Sequence, residues 1–304
     1  MRKILYISIL IFLFSCKQKE KSKNEKLHVV TTTTMITDLV KNIGGDKLEV
    51  KGLMGAGVDP HLYKASEGDV GTLFNADVIV YNGLHLEGKL EEVFEKMRHQ
   101  NKTVIAVSAA VDKNSLIASS DFASNYDPHI WFDITNWEII TKFLVEKLSE
   151  LDAKNAAVYE KNGANYLQKL AELKTQITEK INTLPKEKRI LVTAHDAFNY
   201  FGKAHDFNVV GLQGLSTATE AGVKDVQKLT KFILDNQIKA IFIESSVPKR
   251  TVEALQEAVR AKGNEVIIGG TLFSDALGDA GTVEGTYIGM YTHNVDTIIG
   301  ALAD

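Results

Sequence analysis

The tripeptide Asp-Pro-His occurs twice in the chain, at Asp59-Pro60-His61 and at Asp127-Pro128-His129. Proline restricts the backbone on both of its sides, so each copy presents an imidazole from a chain with little freedom left. Other polar groups stand at comparable places. His195 and Asp196 directly follow the apolar run 189–194, Glu244 ends the run 240–244, and Asp275 follows 266–270 by one short loop. Imidazole and carboxylate brought together are ligands for a transition metal. Neutral imidazole suits zinc, copper, iron or nickel, and a hard carboxylate oxygen keeps manganese in the set. Three histidines and one aspartate fill a four-coordinate shell, and a closed shell binds where a catalytic zinc keeps a position for water. Asp59 and Asp127 are placed to orient imidazoles, while Asp196 and Glu244 are candidates to support the ligands or line the cleft. The intervals 61–129, 129–195 and 195–275 match no compact metal motif, so the fold must bring the ligands together. The other histidines, His28, His85, His99, His205 and His293, read as structural; His85 lies in a loop after a strand.

What must position these groups is legible as a rhythm. Short β-branched runs at 27–33, 48–54, 77–82 and 103–108 alternate with helical segments near 35–43, 65–76 and 88–99. A second set of runs, 189–194, 208–212, 240–244 and 266–270, alternates with helices of which 223–236 and 250–262 are the clearest. Such alternation predicts parallel sheets covered by helices, and two sets predict two α/β lobes of four strands each. In open parallel sheets ligands bind beyond the carboxyl ends of the strands, where His61, His195, Glu244 and Asp275 all fall. A further helix starts near Thr135, just after His129. Between the lobes the chain runs from Asp152, a candidate N-cap, to Leu184 before Pro185. Tyr166, Leu170, Leu173, Ile177, Ile181 and Leu184 form one helical stripe. About thirty residues predict a rigid rod of roughly 45 Å, with Gly163 its one weak spot.

The ends and the charge bound the rest. Arg2 and Lys3 precede an apolar run at 4–14, too short to span a membrane and right for an export signal. Leu13-Phe14-Ser15-Cys16 resembles a bacterial lipobox, which makes Cys16 the lipidation site and the new N-terminus. It is the only cysteine, so disulfides and thiolate ligands are excluded. Residues 17–26 carry five lysines and two glutamates with no apolar side chain, a solvated tether. The expected organisation is therefore a signal (1–15), a tether (16–26), an N-terminal lobe (27–151), a linking helix (152–185) and a C-terminal lobe (186–304). Residues 1–26 contain seven basic and two acidic residues, so the body holds −9 of a chain total of −4. That balance excludes nucleic acid as a partner.

The stretches "GVDPHLY", "DPHIWFD", "VTAHDAFNYF", "GLQGLSTATEAG", "IFIESSVPKRTVEAL" and "LFSDALGDAGTVEGTYIGM" together resemble the zinc- and manganese-specific solute-binding lipoproteins of bacterial ABC importers. The resemblance runs in order through the whole mature chain and is nearest to the TroA-type branch. It implies two α/β lobes joined by one long helix, with the metal in the interlobe cleft on His61, His129, His195 and Asp275. It implies a monomer on the extracytoplasmic or periplasmic face, capturing Zn2+ or Mn2+ for a permease and its ATPase. The manganese-preferring streptococcal type has Glu where this chain has His195. The zinc type carries a long His-rich loop, whereas segment 112–127 here has no histidine. Two rival functions are a metal-dependent hydrolase, with Glu244 or Asp275 as base, and a surface adhesin as a secondary role.

Overall fold

A computed structural model describes residues 26–120 and 122–303. The expected signal, Cys16 and the tether up to residue 25 lie outside the described residues. All eight expected strands form. Strands β1 (Leu27–Thr31), β2 (Leu48–Gly52), β3 (Val78–Tyr81) and β4 (Thr103–Ala106) make one parallel sheet in the order β2-β1-β3-β4. Helices α1 (Thr34–Gly44), α2 (Glu67–Asn75) and α3 (Glu91–His99) are its connections. In α1, Met35, Ile36, Leu39, Val40 and Ile43 fall on one stripe and all are buried, which is why this segment coils rather than extends. Helix α2 opens on a capping box between Ser66 and Asp69. Helix α4 (Ile134–Leu151) starts where Asp133 accepts the Thr135 amide at 2.8 Å.

The second lobe contains β5 (Ile190–His195), α6 (Asn199–His205), β6 (Asn208–Gln213), α7 (Val223–Asp235), β7 (Ala240–Glu244), α8 (Arg250–Arg260), β8 (Ile267–Leu272) and α9 (Tyr287–Ala303). Its four strands are hydrogen-bonded as two parallel pairs, β5 with β6 and β7 with β8. The inner strands β5 and β7 lie side by side. Between them the His195 amide donates to Oε1 of Glu244 at 2.8 Å, so a side chain stands where a strand carbonyl would continue the ladder. Helix α6 fills an expected helical interval that the sequence did not bound, and α9 is absent from the sequence reading.

Helix α5 (Ala156–Ile181) joins the lobes with 26 residues, about 39 Å rather than 45. Asp152 does not cap it. That residue ends α4, and its carboxylate accepts from Asn155 Nδ2 at 2.8 Å and from the Tyr159 hydroxyl at 2.5 Å. A short 3-10 turn then intervenes before Ala156. The stripe from Tyr166 to Leu184 is buried throughout. Gly163 is a close-contact site, not a weak spot: a Cβ there would stand 2.3 Å from Cγ2 of Val145 on α4. One hydrophobic core runs through both lobes along this helix, joining Val29 and Trp137 to Leu170, Leu191 and Tyr287. Among the described residues no helix is long and apolar enough to cross a membrane.

Candidate metal centre

His195 is the last residue of β5. Gly211 on β6 lets the chain turn there, because a Cβ at 211 would lie 2.5 Å from the His195 carbonyl carbon and the Asp196 nitrogen. The Gly211 amide donates to Oδ1 of Asp196 at 2.6 Å. Asp196 thus ties the turn after His195 to β6 and shapes the site without supporting an imidazole. Glu244 does support one. It takes the His195 amide with one oxygen, and its Oε2 lies 2.5 Å from the ring Nδ1.

His129 is held in the same way. Oδ1 of Asp127 accepts its amide at 2.9 Å and meets its Nδ1 at 2.8 Å. The other Asp127 oxygen takes Nδ2 of Asn199 at 3.0 Å, and the Asp127 carbonyl takes the Tyr200 hydroxyl at 3.0 Å. Helix α9 fixes the segment that follows, where the Tyr287 and Tyr291 hydroxyls donate to the carbonyls of Trp131 and Phe132 at 2.7 and 2.9 Å. The indole of Trp131 donates to the Ser274 carbonyl at 3.1 Å and so positions Asp275 beside it.

His61 is held differently. Asp59 accepts its amide at 2.8 Å, and the second Asp59 oxygen accepts the Thr217 hydroxyl from the other lobe at 2.5 Å. The carboxylate fixes the backbone, where the sequence suggested that it would orient the ring. The ring instead meets the edge of Phe122, with centroids 6.3 Å apart. Asn199, Tyr200, Thr217, Phe122 and Trp131 play no part in the sequence reading. The two lobe-crossing partners of Asp127 lie next to the recognised His195-Asp196 pair, which was the only signal for them.

The four expected ligands come together. One potential ligand atom from each of His61, His129, His195 and Asp275 lies within 4.8 Å of the others. Nε2 of His61 and Nε2 of His129 are 3.3 Å apart. The Asp275 oxygens stand 3.3 Å from Nε2 of His195, 3.5 Å from that of His129 and 4.0 Å from that of His61. Exposure is 5% for His61, 0% for His129 and His195, and 1% for Asp275. With Nδ1 turned to a carboxylate in two of the rings, Nε2 is the nitrogen that faces the centre.

Burial opposes charge on His195, but Glu244 and Asp275 push its pKa well above the ordinary imidazole range. Burial likewise opposes ionisation of Asp275, yet the three histidines, His195 foremost, hold it below the usual carboxylate range. Burial lowers His61 to about 3. Nε2 of His195 and both Asp275 oxygens are buried without a hydrogen-bond partner among the described residues. Buried polar atoms are normally paired, and three orphans aimed at one point fit a cation.

A family model described as "Zinc-uptake complex component A periplasmic" matches residues 29–301. The chain is 49% identical over 292 residues to the zinc-binding protein TroA of Treponema pallidum, covering 96% of this chain and 94% of that protein. It is 46% identical over 282 residues to the manganese-binding lipoprotein MntA of Bacillus subtilis, covering 93% and 92%. The solved structure of periplasmic zinc-binding TroA from Treponema pallidum matches with a TM-score of 0.90 at 51% identity, over 92% of this chain and 100% of that one. A metal ABC transporter substrate-binding lipoprotein of Streptococcus sanguinis, SsaB, is 32% identical over 100% of both chains. A cleft of buried imidazole and carboxylate between two α/β lobes, matched over nearly the whole chain, means that this protein belongs to the zinc-uptake complex component A family of ABC-transporter substrate-binding proteins.

Proposed function

We propose that the protein captures one divalent transition-metal ion, zinc or manganese, on His61, His129, His195 and Asp275 and delivers it to the permease of an ABC importer. The observation that carries this is the set of orphaned buried atoms, Nε2 of His195 and both oxygens of Asp275, within reach of two more imidazoles. Asp127 and Glu244 fix the rings that they touch and raise their basicity as ligands. Three imidazoles favour zinc, while the aspartate oxygen keeps manganese as a second cargo. The zinc- and manganese-binding relatives at nearly equal identity support both. The four side chains complete a shell and leave no place for a reacting water, so the site binds and does not catalyse.

Cys16 is the lipid anchor in this reading. Residues 17–26 stand the body, a monomer, off the membrane on its extracytoplasmic side, and the permease, driven by its ATPase, carries the ion inward. The lipoprotein names of MntA and SsaB support that placement. The test is metal-induced thermal stabilisation. A ligand at a hundred times its Kd adds about 2.7 kcal/mol, a shift of several degrees in a chain of this size. His195→Ala and Asp275→Ala should each lose most of that shift with Zn2+ and with Mn2+. If both variants retain the wild-type shift, the ion binds elsewhere.

A further inference from the structure

We propose that His85, backed by Glu91, is a peripheral ligand at the mouth of the cleft, from which an incoming transition-metal ion passes to His61. The inference rests on the metal-binding reading of the buried centre. His85 repeats the arrangement of the two inner histidines. Its Nδ1 lies 2.7 Å from Oε1 of Glu91, as that of His129 meets Asp127 and that of His195 meets Glu244. A carboxylate on Nδ1 fixes the tautomer and presents Nε2 as a ligand. The inner pairs are fully buried, whereas the His85 and Glu91 side chains are 37% and 50% exposed, open to an ion in solution.

The chain goes to some length to place this ring. Gly83, Leu84 and His85 have successive positive φ angles of 86°, 52° and 63°. Two adjacent residues with side chains in that region are strained, and such strain persists only where the surroundings impose it. Glu87 imposes it here. Its buried carboxylate accepts the Thr32 hydroxyl at 2.6 Å and the amides of Asn82 and Gly83 at 2.8 and 3.2 Å. Asn82 in turn donates to the Pro128 carbonyl at 2.9 Å, which fastens the strained loop to the turn that carries His129. Gly88 keeps the free nitrogen open, since a Cβ at that position would stand 2.6 Å from Nε2 of His85.

The loop lies beside the least buried of the four central residues. His61 is the most exposed of the four central ligands. The Phe122 ring sits between the two histidines, edge-on to His61 at 6.3 Å and to His85 at 6.1 Å. A carboxylate alone would attract any cation; an oriented imidazole selects a transition metal before the buried site does. Such a station changes how fast an ion enters and leaves without changing where it rests.

The test is stopped-flow loading of the full-length, metal-free lipoprotein with Zn2+, followed by unloading into a strong chelator. Tryptophan fluorescence is the signal, since Trp131 stands 5.3 Å from the His129 ring. His85→Ala removes the ligand, and Gly88→Ala keeps it but covers Nε2. Both should slow loading and unloading by the same factor, of the order of tenfold, the low end of what local capture adds to an on-rate. Equilibrium affinity should stay at the wild-type value. Wild-type rates in either variant overturn the proposal, and so does a loss of equilibrium affinity in His85→Ala. His61→Ala separates this from the reading beneath it: wild-type affinity there would overturn the buried centre itself, whatever His85 does.

Discussion

The two Asp-Pro-His turns have the same sequence and are built differently. In the inner turn Asp127 holds both the amide and the ring of His129, and the opposite lobe grips that carboxylate and its backbone through Asn199 and Tyr200. In the outer turn Asp59 holds only the amide of His61, and the opposite lobe reaches it through the single hydroxyl of Thr217. One device therefore yields a histidine fixed in orientation and a histidine fixed only in position. Proline and the local carboxylate set where each chain goes. What the carboxylate does beyond that depends on the other lobe.

The strongest way to break this contrast is Asp127→Ala. It unpairs the buried His129 amide and ring and takes one of the two acceptors from Nδ2 of the half-buried Asn199. A supporting carboxylate of this kind is worth roughly 10- to 100-fold in metal affinity. The unpaired buried donors should cost about 3 kcal/mol of folding stability. Competition against a zinc indicator and urea unfolding measure the two effects, and a variant within a factor of two of wild type would mean that His129 needs no such support.

Acid separates the histidines next. Bound imidazoles must be neutral, so affinity falls as pH falls. Glu244 and Asp275 raise His195 against its burial, so capture should displace a proton from that ring. A weakly buffered dye solution reads that release, and none at all would contradict the charge placed on His195. His61 is lowered to about 3 by burial, so the unfolded chain, titrating near 6.5, takes that proton first. Stability therefore falls as pH drops from about 6.5 towards 3, and the melting temperature should follow it down.

Smaller effects belong to the outer turn. Asp59→Ala should weaken metal binding by less than about tenfold, because the carboxylate works through one amide hydrogen bond worth roughly 1 kcal/mol. A loss as large as that of Asp127→Ala would erase the contrast. The smallest change is expected for Thr217→Val, which removes one hydroxyl from the lobe contact. It should cost about 1 kcal/mol of stability and leave zinc affinity near wild type in the same titration.

Much of this was legible in the chain. The eight strands announce themselves as β-branched runs, and the stripe from Tyr166 to Ile181 marks the buried face of α5 residue by residue. The placing of His61, His195 and Asp275 follows from a general rule about strand ends, while His129 was marked by the repeated Asp-Pro-His turn instead. Helix α9 was hidden because it packs against β8, α5 and α1 at once. A helix apolar on several faces loses the one-sided period by which it is recognised. Gly163 was misread because a glycine shows its cost within its own helix, while the Val145 side chain that requires it belongs to another. The grips of Asn199, Tyr200 and Thr217 cross between lobes, and no spacing along the chain encodes such a meeting. The structural reading of His85 failed to anticipate Glu91 for a similar reason: the six-residue interval becomes a contact only through the left-handed backbone at Leu84 and His85.

The unbroken core along α5 has a calorimetric consequence. Trp131, Trp137, Tyr287 and Tyr291 already bury the ground that the lobes share, and the Tyr287 and Trp137 rings stack there at 5.0 Å. Capture of an ion need not hide further apolar surface, and the heat-capacity change of binding tracks that surface. It should be close to zero here, leaving an enthalpy that hardly varies with temperature. A scavenger built this way holds its cargo by the same balance of heats in cold surroundings as in warm ones.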